Sequence, residues 1–421
     1  MATHGIVRAM APVGVMLGDL QARIVSDPAV RVDPGPIHRE IRSHGPIAHS
    51  RLAAVTVDHG VVHDVLRSND FRTVGAGPRG PRPVAAVEQW TRPRGLHPLR
   101  PPSLLATEPP SHTTYRRLVS SVFTARAVAS MRDNVEHTAT RLLDDLDGET
   151  GTVDIIERYC AQLPVAVIGD ILGVPQSERD LILRFGEIAA PSLDLGLSWS
   201  EHRRVDEGLT SFVEWLREHL SRLRDNPGDD LMSQLIAVRD DGVALTEDEL
   251  LATAGLVLAA GFETTVNIFG SGIDLLTGHR DQLELLFERP DLWANASDEM
   301  LRLRPPVQLT ARTALRRTEL AGTTIPAGRM VLLVLAGANR DPSVFPNPDR
   351  FDVDRENANK HHSFSGGRHF CLGAALARAE TEVGLRTLFE RYPTLVRDGL
   401  PVRRRTRVLH GYSSYPVRLR R

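Results

Sequence analysis

The chain has 421 residues, with 51 lysines plus arginines against 53 aspartates plus glutamates and a formal charge of -2 at neutral pH. So even a balance excludes a chain-wide polyanion binder, which would need a basic excess to draw in nucleic acid. Charged and hydrophobic shares of 25% and 41% are those of an ordinary folded protein, and the length is ample to enclose a cofactor.

In chain order, the short apolar run Ala9 to Gly18 is interrupted by Pro12 and reads as an N-terminal segment rather than a signal peptide. No stretch is read as the roughly 18-residue apolar span of a membrane helix. Residues 15–70 mix short helical pieces with the strand-like run Ala53-Ala54-Val55-Thr56-Val57. Residues 71–106 change character: Pro78, Pro81, Pro83, Pro93, Pro98 and the pair Pro101-Pro102 alternate with glycines and with Arg72, Arg79, Arg82, Arg92, Arg94 and Arg100, around Trp90. Such a composition cannot hold a regular helix throughout. It reads either as a solvated loop or as a flexible flap over a pocket.

From His112 to about Arg304 the pattern is mostly helical, as in the spacing of Leu209, Phe212, Val213 and Leu216. The longest helix is expected to start near Thr246, where Thr246 and Glu249 form a capping box, and to run toward Leu276. About 30 residues of helix would span about 45 Å. After Pro305-Pro306 come short β-like runs such as Met330 to Leu335, and a last helix is expected from Leu372 to about Tyr392. The fold class is therefore mainly α with a smaller β region, read as one domain over residues 1–421.

Two cysteines, Cys160 and Cys371, cannot build a disulfide framework and point to a reduced, cytoplasmic setting. Cys371 lies in Phe364-Ser365-Gly366-Gly367-Arg368-His369-Phe370-Cys371-Leu372-Gly373, between a glycine-rich loop and the start of a helix. A helix N-terminus favours thiolate, and glycines let the backbone approach a bulky partner. The residues alone leave three readings open: a thiolate metal ligand, a nucleophile, or a buried structural cysteine.

This loop resembles the heme-ligating signature of the cytochromes P450, which Phe364, Gly367, His369, Cys371 and Gly373 match. The resemblance implies the family's fold, with a long central helix over a buried heme b whose iron is held by Cys371. It extends to other segments. Glu299 and Arg302 share one helix face and look like the Glu-x-x-Arg pair that locks the family's core. A third arginine completes that network, with Arg350 the first choice and Arg355 the second. Ala260-Gly261-Phe262-Glu263-Thr264-Thr265 resembles the oxygen-activation segment, an acid followed by threonine, with glutamate here where many members have aspartate. Glu263 and Thr264 are accordingly the expected catalytic pair. Thr264 can also return its hydroxyl to a carbonyl one turn back, and Gly261 signals close packing or a distortion. His112, Arg116, Arg312 and His369 match positions that bind heme propionates. His361-His362 reads as loop rather than as a metal site.

The implied function is a monooxygenase that inserts one oxygen atom from O2 into a C–H bond of a lipophilic small molecule of fatty acyl, polyketide, terpene or steroid type. The pocket walls are expected from residues 71–106, about 190–199, Ala260 and Val307 to Leu309. The arginines of 71–106 hint at a polar end on the substrate. No flavin module is visible, and two cysteines are too few for a fused iron–sulfur cluster. An external ferredoxin and its reductase are implied, docking on a basic patch from Arg116, Arg117, Arg368 and Arg378. The resemblance further implies a monomer. The alternatives are a non-catalytic heme-binding sensor or carrier, and a peroxide-using heme enzyme.

Overall fold

The computed structural model describes residues 2–51, 53–74, 97, 99–123, 125–194, 196–238 and 242–420. Trp90, the prolines from Pro78 to Pro98 and Arg79, Arg82, Arg92 and Arg94 lie outside the described residues, and with them most of the expected flap.

The helical half is organised around one rod, Glu247–Gly278. Its 32 residues span about 48 Å. It starts where the sequence said it would: the Thr246 side chain accepts from the Glu249 N–H while the Glu249 carboxylate accepts from the Thr246 N–H. Helices Gln162–Ile171, Arg179–Ala189, Trp199–Asp225, Trp293–Leu303 and Ala374–Arg391 pack around it. The contacts are close enough to explain particular residues. A methyl group on Gly186 would come 2.3 Å from the Phe262 ring, and one on Gly261 would come 2.9 Å from Ile168 Cδ1. Of the two expectations for Gly261, close packing is the one realised, and the helix continues through it undistorted.

This helix also qualifies one expectation. By length and mean hydropathy, 1.4 over its best window, it is apolar enough to cross a membrane. However, 61% of that window is buried inside the fold, so the apolar surface has a protein partner.

The β region is a five-stranded sheet in the order Ala48–His49, Ala53–Thr56, Met330–Leu333, Thr310–Ala314, Phe71–Thr73. Ala53–Thr56 pairs in parallel with Met330–Leu333, so the two apolar runs seen in sequence meet at the sheet centre. Both are buried on nearly every residue, as a strand covered on two faces requires. Thr310–Ala314 lies between Met330–Leu333 and Phe71–Thr73, which sets Arg312 opposite Val331 on one side and Thr73 on the other. Sheet and helix bundle thereby bring residues from both ends of the chain to one locality.

Candidate active site

The Cys371 loop is folded by its own backbone. The Cys371 N–H donates to Phe364 O at 2.9 Å, and a short 3-10 turn, Gly367–His369, fills the space between. Gly367 adopts φ +63°, and a side chain there would come 2.3 Å from Leu66 O, so the position requires glycine. The C-terminal helix Ala374–Arg391 begins three residues after the cysteine, with Gly373 as its cap. Cys371 keeps an exposed surface. Close packing on its other sides pushes the thiol above its ordinary value, against the pull of the Gly373 N–H and of the Arg116 and Arg378 guanidinium groups. Burial and the helix start therefore act on the thiol in opposite directions. A bound cation, which deprotonates a coordinating thiol outright, would have to complete the deprotonation.

Around the cysteine lies a set of desolvated cationic and imidazole groups. His112, on helix Ser111–Val122, faces His369 with ring centroids 4.5 Å apart, and His112 is 2% exposed. Burial, then His369 and Arg116, hold the His112 imidazole down at about 4. Burial also lowers the Arg312 guanidinium to about 10, with Glu108 opposing. It lowers Arg116 as well, which senses Cys371. His112 Nε2 and His369 Nε2 are buried without a hydrogen-bond partner among the described residues. Two buried imidazole nitrogens without a partner among the described residues, beside the desolvated Arg116 and Arg312 guanidinium groups, describe a cradle suited to carboxylates. The four residues expected to hold the propionates are brought together, and they fit a heme.

One acid inside this cradle was missed by sequence reasoning. Glu108 Oε1 accepts from the Thr73 N–H at 2.6 Å and the Thr73 hydroxyl at 3.0 Å, and Arg368 Nη1 lies 3.3 Å from its Oε2. Burial alone would raise this carboxyl, but His369 and Thr73 outweigh it and hold it at about 2. Its position one turn before His112 was the available signal.

The expected basic patch is smaller than the sequence suggested. Arg368 is engaged by Glu108 and by Ser68 and Asn69, and Arg378 by Asp298 at 2.6 Å and by the Phe364 ring face at 4.6 Å. Arg116 is half-buried, which leaves Arg117 as the exposed member of the four.

Tyr115 ties this side to the central helix, its hydroxyl lying 2.8 Å from Glu249 O and 2.6 Å from Thr253 Oγ1. Farther along the same helix, Thr264 Oγ1 donates to Ala260 O at 2.6 Å, the expected back-bond. Ala260 is exposed although Leu258 and Phe262 beside it are buried, so the helix has an unpacked face at mid-length, which half-buried Thr264 borders. Glu263 is 1% exposed, and burial raises its carboxyl to about 7, with Arg404 opposing and Glu187 adding to the rise. Arg404 Nη1 lies 2.8 Å from Glu263 Oε1. Arg404 carries no sequence signal, since it reaches the acid from the C-terminal loop.

Behind the cysteine loop, Arg302 Nε and Nη2 donate to the two Glu299 oxygens at 2.6 and 2.9 Å. The third arginine is Arg355, whose Nε lies 3.1 Å from both oxygens. Arg350, the first choice from sequence, is corrected: its side chain is exposed, and it joins through its carbonyl oxygen, which accepts from Arg302 and Arg355.

With this geometry established, the chain was compared with known proteins. The cytochrome P450 family profile matches residues 292–409. The putative cytochrome P450 140 of Mycobacterium tuberculosis is 54% identical over 100% of this chain and 96% of its own length. The 6-deoxyerythronolide B hydroxylase of Saccharopolyspora erythraea is 41% identical over 74% of this chain and 77% of its own. Among solved structures, ligand-free CYP164A2 of Mycobacterium smegmatis superposes with a TM-score of 0.84 at 33% identity, covering 95% of this chain and 99% of that one.

Proposed function

Because the chain belongs to the cytochrome P450 family, a family of heme-iron monooxygenases, we propose that it inserts one atom of O2 into a C–H bond of a lipophilic small molecule, with electrons from an external ferredoxin and its reductase. The heme iron, when bound, supplies the activation of O2. Cys371 is its protein ligand. His112, Arg116, Arg312 and His369 hold the propionates through charge-assisted hydrogen bonds, which relieves their desolvation. Glu263 holds and releases a proton near neutral pH, where a general acid works best, and the Thr264 hydroxyl beside the unpacked helix face passes it inward.

The observation that carries this reading is the conjunction at Cys371 of an exposed thiol with the desolvated Arg116 and Arg312 guanidinium groups and two imidazoles, His112 and His369, whose buried Nε2 atoms have no hydrogen-bond partner among the described residues. The substrate site is expected against the unpacked helix face at Ala260, with walls from residues 71–106, about 190–199 and Val307 to Leu309, and an apolar lining there would suit a lipophilic substrate. The relative named for hydroxylating 6-deoxyerythronolide B supports the polyketide class among the candidates. A reducing, cytoplasmic compartment suits a chain whose two cysteines, Cys160 and Cys371, are both free, and the protein acts as a monomer.

Replacing Cys371 with Ala should abolish the red-shifted carbonyl band of the reduced protein, and a persisting band overturns the ligand assignment. Thr264→Ala should keep heme but divert reducing equivalents to peroxide; full coupling of electrons to product would remove it from the relay. Product with ferredoxin, reductase and O2 supports the proposal. Turnover with hydrogen peroxide alone supports a peroxide-using enzyme, and product in neither arm a sensor or carrier.

A further inference from the structure

The hairpin-like segment 403–411 touches three separate parts of the molecule. Its own shape is fixed internally: the Arg404 N–H donates to Gly411 O at 3.0 Å, the Thr406 hydroxyl to Leu409 O at 2.9 Å, and Arg403 Nη1 lies 2.9 Å from His410 Nε2. It is anchored below by backbone bonds to Pro306 and Gln308, beside the expected pocket wall. At its tip, the buried Asp194 carboxylate accepts the N–H groups of both Arg407 and Val408 at 3.0 Å. Asp194 follows the turn Ala190–Leu193, which closes helix Arg179–Ala189 ahead of helix Trp199–Asp225. Three residues before the Asp194 clasp, Arg404 reaches Glu263.

The Arg404–Glu263 pair is close but poorly aimed. Nη1 to Oε1 is 2.8 Å, yet among the described residues neither Glu263 oxygen has a partner in hydrogen-bonding geometry, and Arg404 Nε is buried without one. A small displacement of the segment would therefore change the field at the acid while breaking no linear bond there. The charged groups acting on Glu263 are Arg404 from this segment and Glu187 from helix Arg179–Ala189. Helix Gln162–Ile171 presents Ile168 to the same stretch, at Gly261. Glu187 and Asp194 belong to the same wall, so a shift of that wall alters both charged influences together.

We infer that segment 403–411 couples the seating of the 179–225 helix pair to the charge of Glu263, with Asp194 as the clasp and Arg404 as the positioning residue. The inference rests on the reading of Glu263 as the proton relay. Arg404 lowers the carboxyl's proton affinity enough for it to release a proton near neutral pH when the wall is seated. Loosening the clasp withdraws that help and leaves the acid protonated.

The test titrates the Glu263 carboxyl C=O infrared band of the heme-loaded protein, assigned by its loss in Glu263→Gln. Product per NADPH oxidised is measured against pH in parallel. Arg404→Gln should raise the midpoint by about one pH unit or more, the usual effect of losing an adjacent opposite charge. Asp194→Asn should shift it in the same direction by less, and it touches neither Glu263 nor Arg404, so the test stands if Arg404→Gln fails to fold. An unmoved midpoint in either folded variant overturns the coupling. If Glu263→Gln leaves product per NADPH unchanged, the relay reading itself fails. If it lowers that ratio while Arg404→Gln leaves the titration in place, only this inference fails.

Discussion

Glu299 and Glu263 lie equally deep, at 0% and 1% exposure, on helices that pack against each other. Their surroundings differ in every other respect. Glu299 accepts from the fork of Arg302, from Arg355 and from the Asp352 N–H. The arginines are in turn satisfied by the carbonyl oxygens of Asn339, Pro346, Pro348 and Arg350. Among the described residues, Glu263 has one guanidinium at contact distance and no well-aimed donor. A buried charge costs several kcal/mol unless its partners are well placed. Glu299 meets that condition and so holds a fixed shape. Glu263 does not, and its proton equilibrium moves instead, to about 7. Depth alone does not decide whether a buried carboxylate keeps its charge; the degree of satisfaction does.

The largest effect should come from breaking the satisfied network. Arg302→Ala leaves Glu299 short of two of its bonds and orphans the carbonyl oxygens of Asn339 and Pro348, an expected loss of about 3–5 kcal/mol. Against a total stability of about 5–15 kcal/mol, the variant should give little folded, heme-loaded protein. Arg302→Lys should recover only part, because an ammonium cannot make the two-pronged bond. An unchanged thermal midpoint for Arg302→Ala would erase the contrast between the two glutamates.

Glu263→Gln should act in the opposite sense. The folded carboxyl titrates at about 7 against an ordinary 4.5, so the folded state binds its proton more tightly than the unfolded chain. Stability from this group is therefore full below about 4.5 and falls as pH rises to about 7, by on the order of 3 kcal/mol. Glutamine carries no such linkage. Denaturant unfolding should show the variant gaining on the parent between pH 4.5 and 7, with a constant difference above. Parallel curves across that window would place the carboxyl's titration elsewhere.

How far these properties were legible beforehand follows the range of the interactions. The capping box at Thr246 and Glu249, the helix through Glu263 and the glycine-rich turn into Cys371 are local patterns, and each was readable. Glu299 and Arg302, three apart on one helix, were readable as a pair. What escaped depends on chain segments meeting in three dimensions. Arg404 reaches Glu263 and Asp194 reaches Arg407 with nothing in the local sequence to announce it, while Glu108, one turn before His112, meets Arg368 and His369 from the far end of the chain. The raised thiol at Cys371 escaped for a related reason. The helix start was visible, but the burial that raises the thiol was not.

The smallest expected effect tests how the network uses Arg350. The resemblance to the family's core network made the Arg350 guanidinium the first choice and that of Arg355 the second. The backbone decides otherwise. Asn347 takes φ +48°, the Arg350 N–H returns to Asn347 O at 3.0 Å, and the Arg355 N–H to Asp352 O at 3.1 Å. Two successive turns leave the Arg350 side chain exposed and aim its carbonyl at Arg302 and Arg355. Any residue offers the same carbonyl, and any but proline the N–H that closes the turn to Asn347 O, so Arg350→Ala should change stability by no more than about 0.5 kcal/mol, as surface substitutions usually do. Arg355→Ala removes two contacts to Glu299 and should cost several times more. Comparing the two thermal midpoints separates a network built on one particular guanidinium from one that needs only a nearby positive charge: equal losses would favour the latter and return Arg350 to the core.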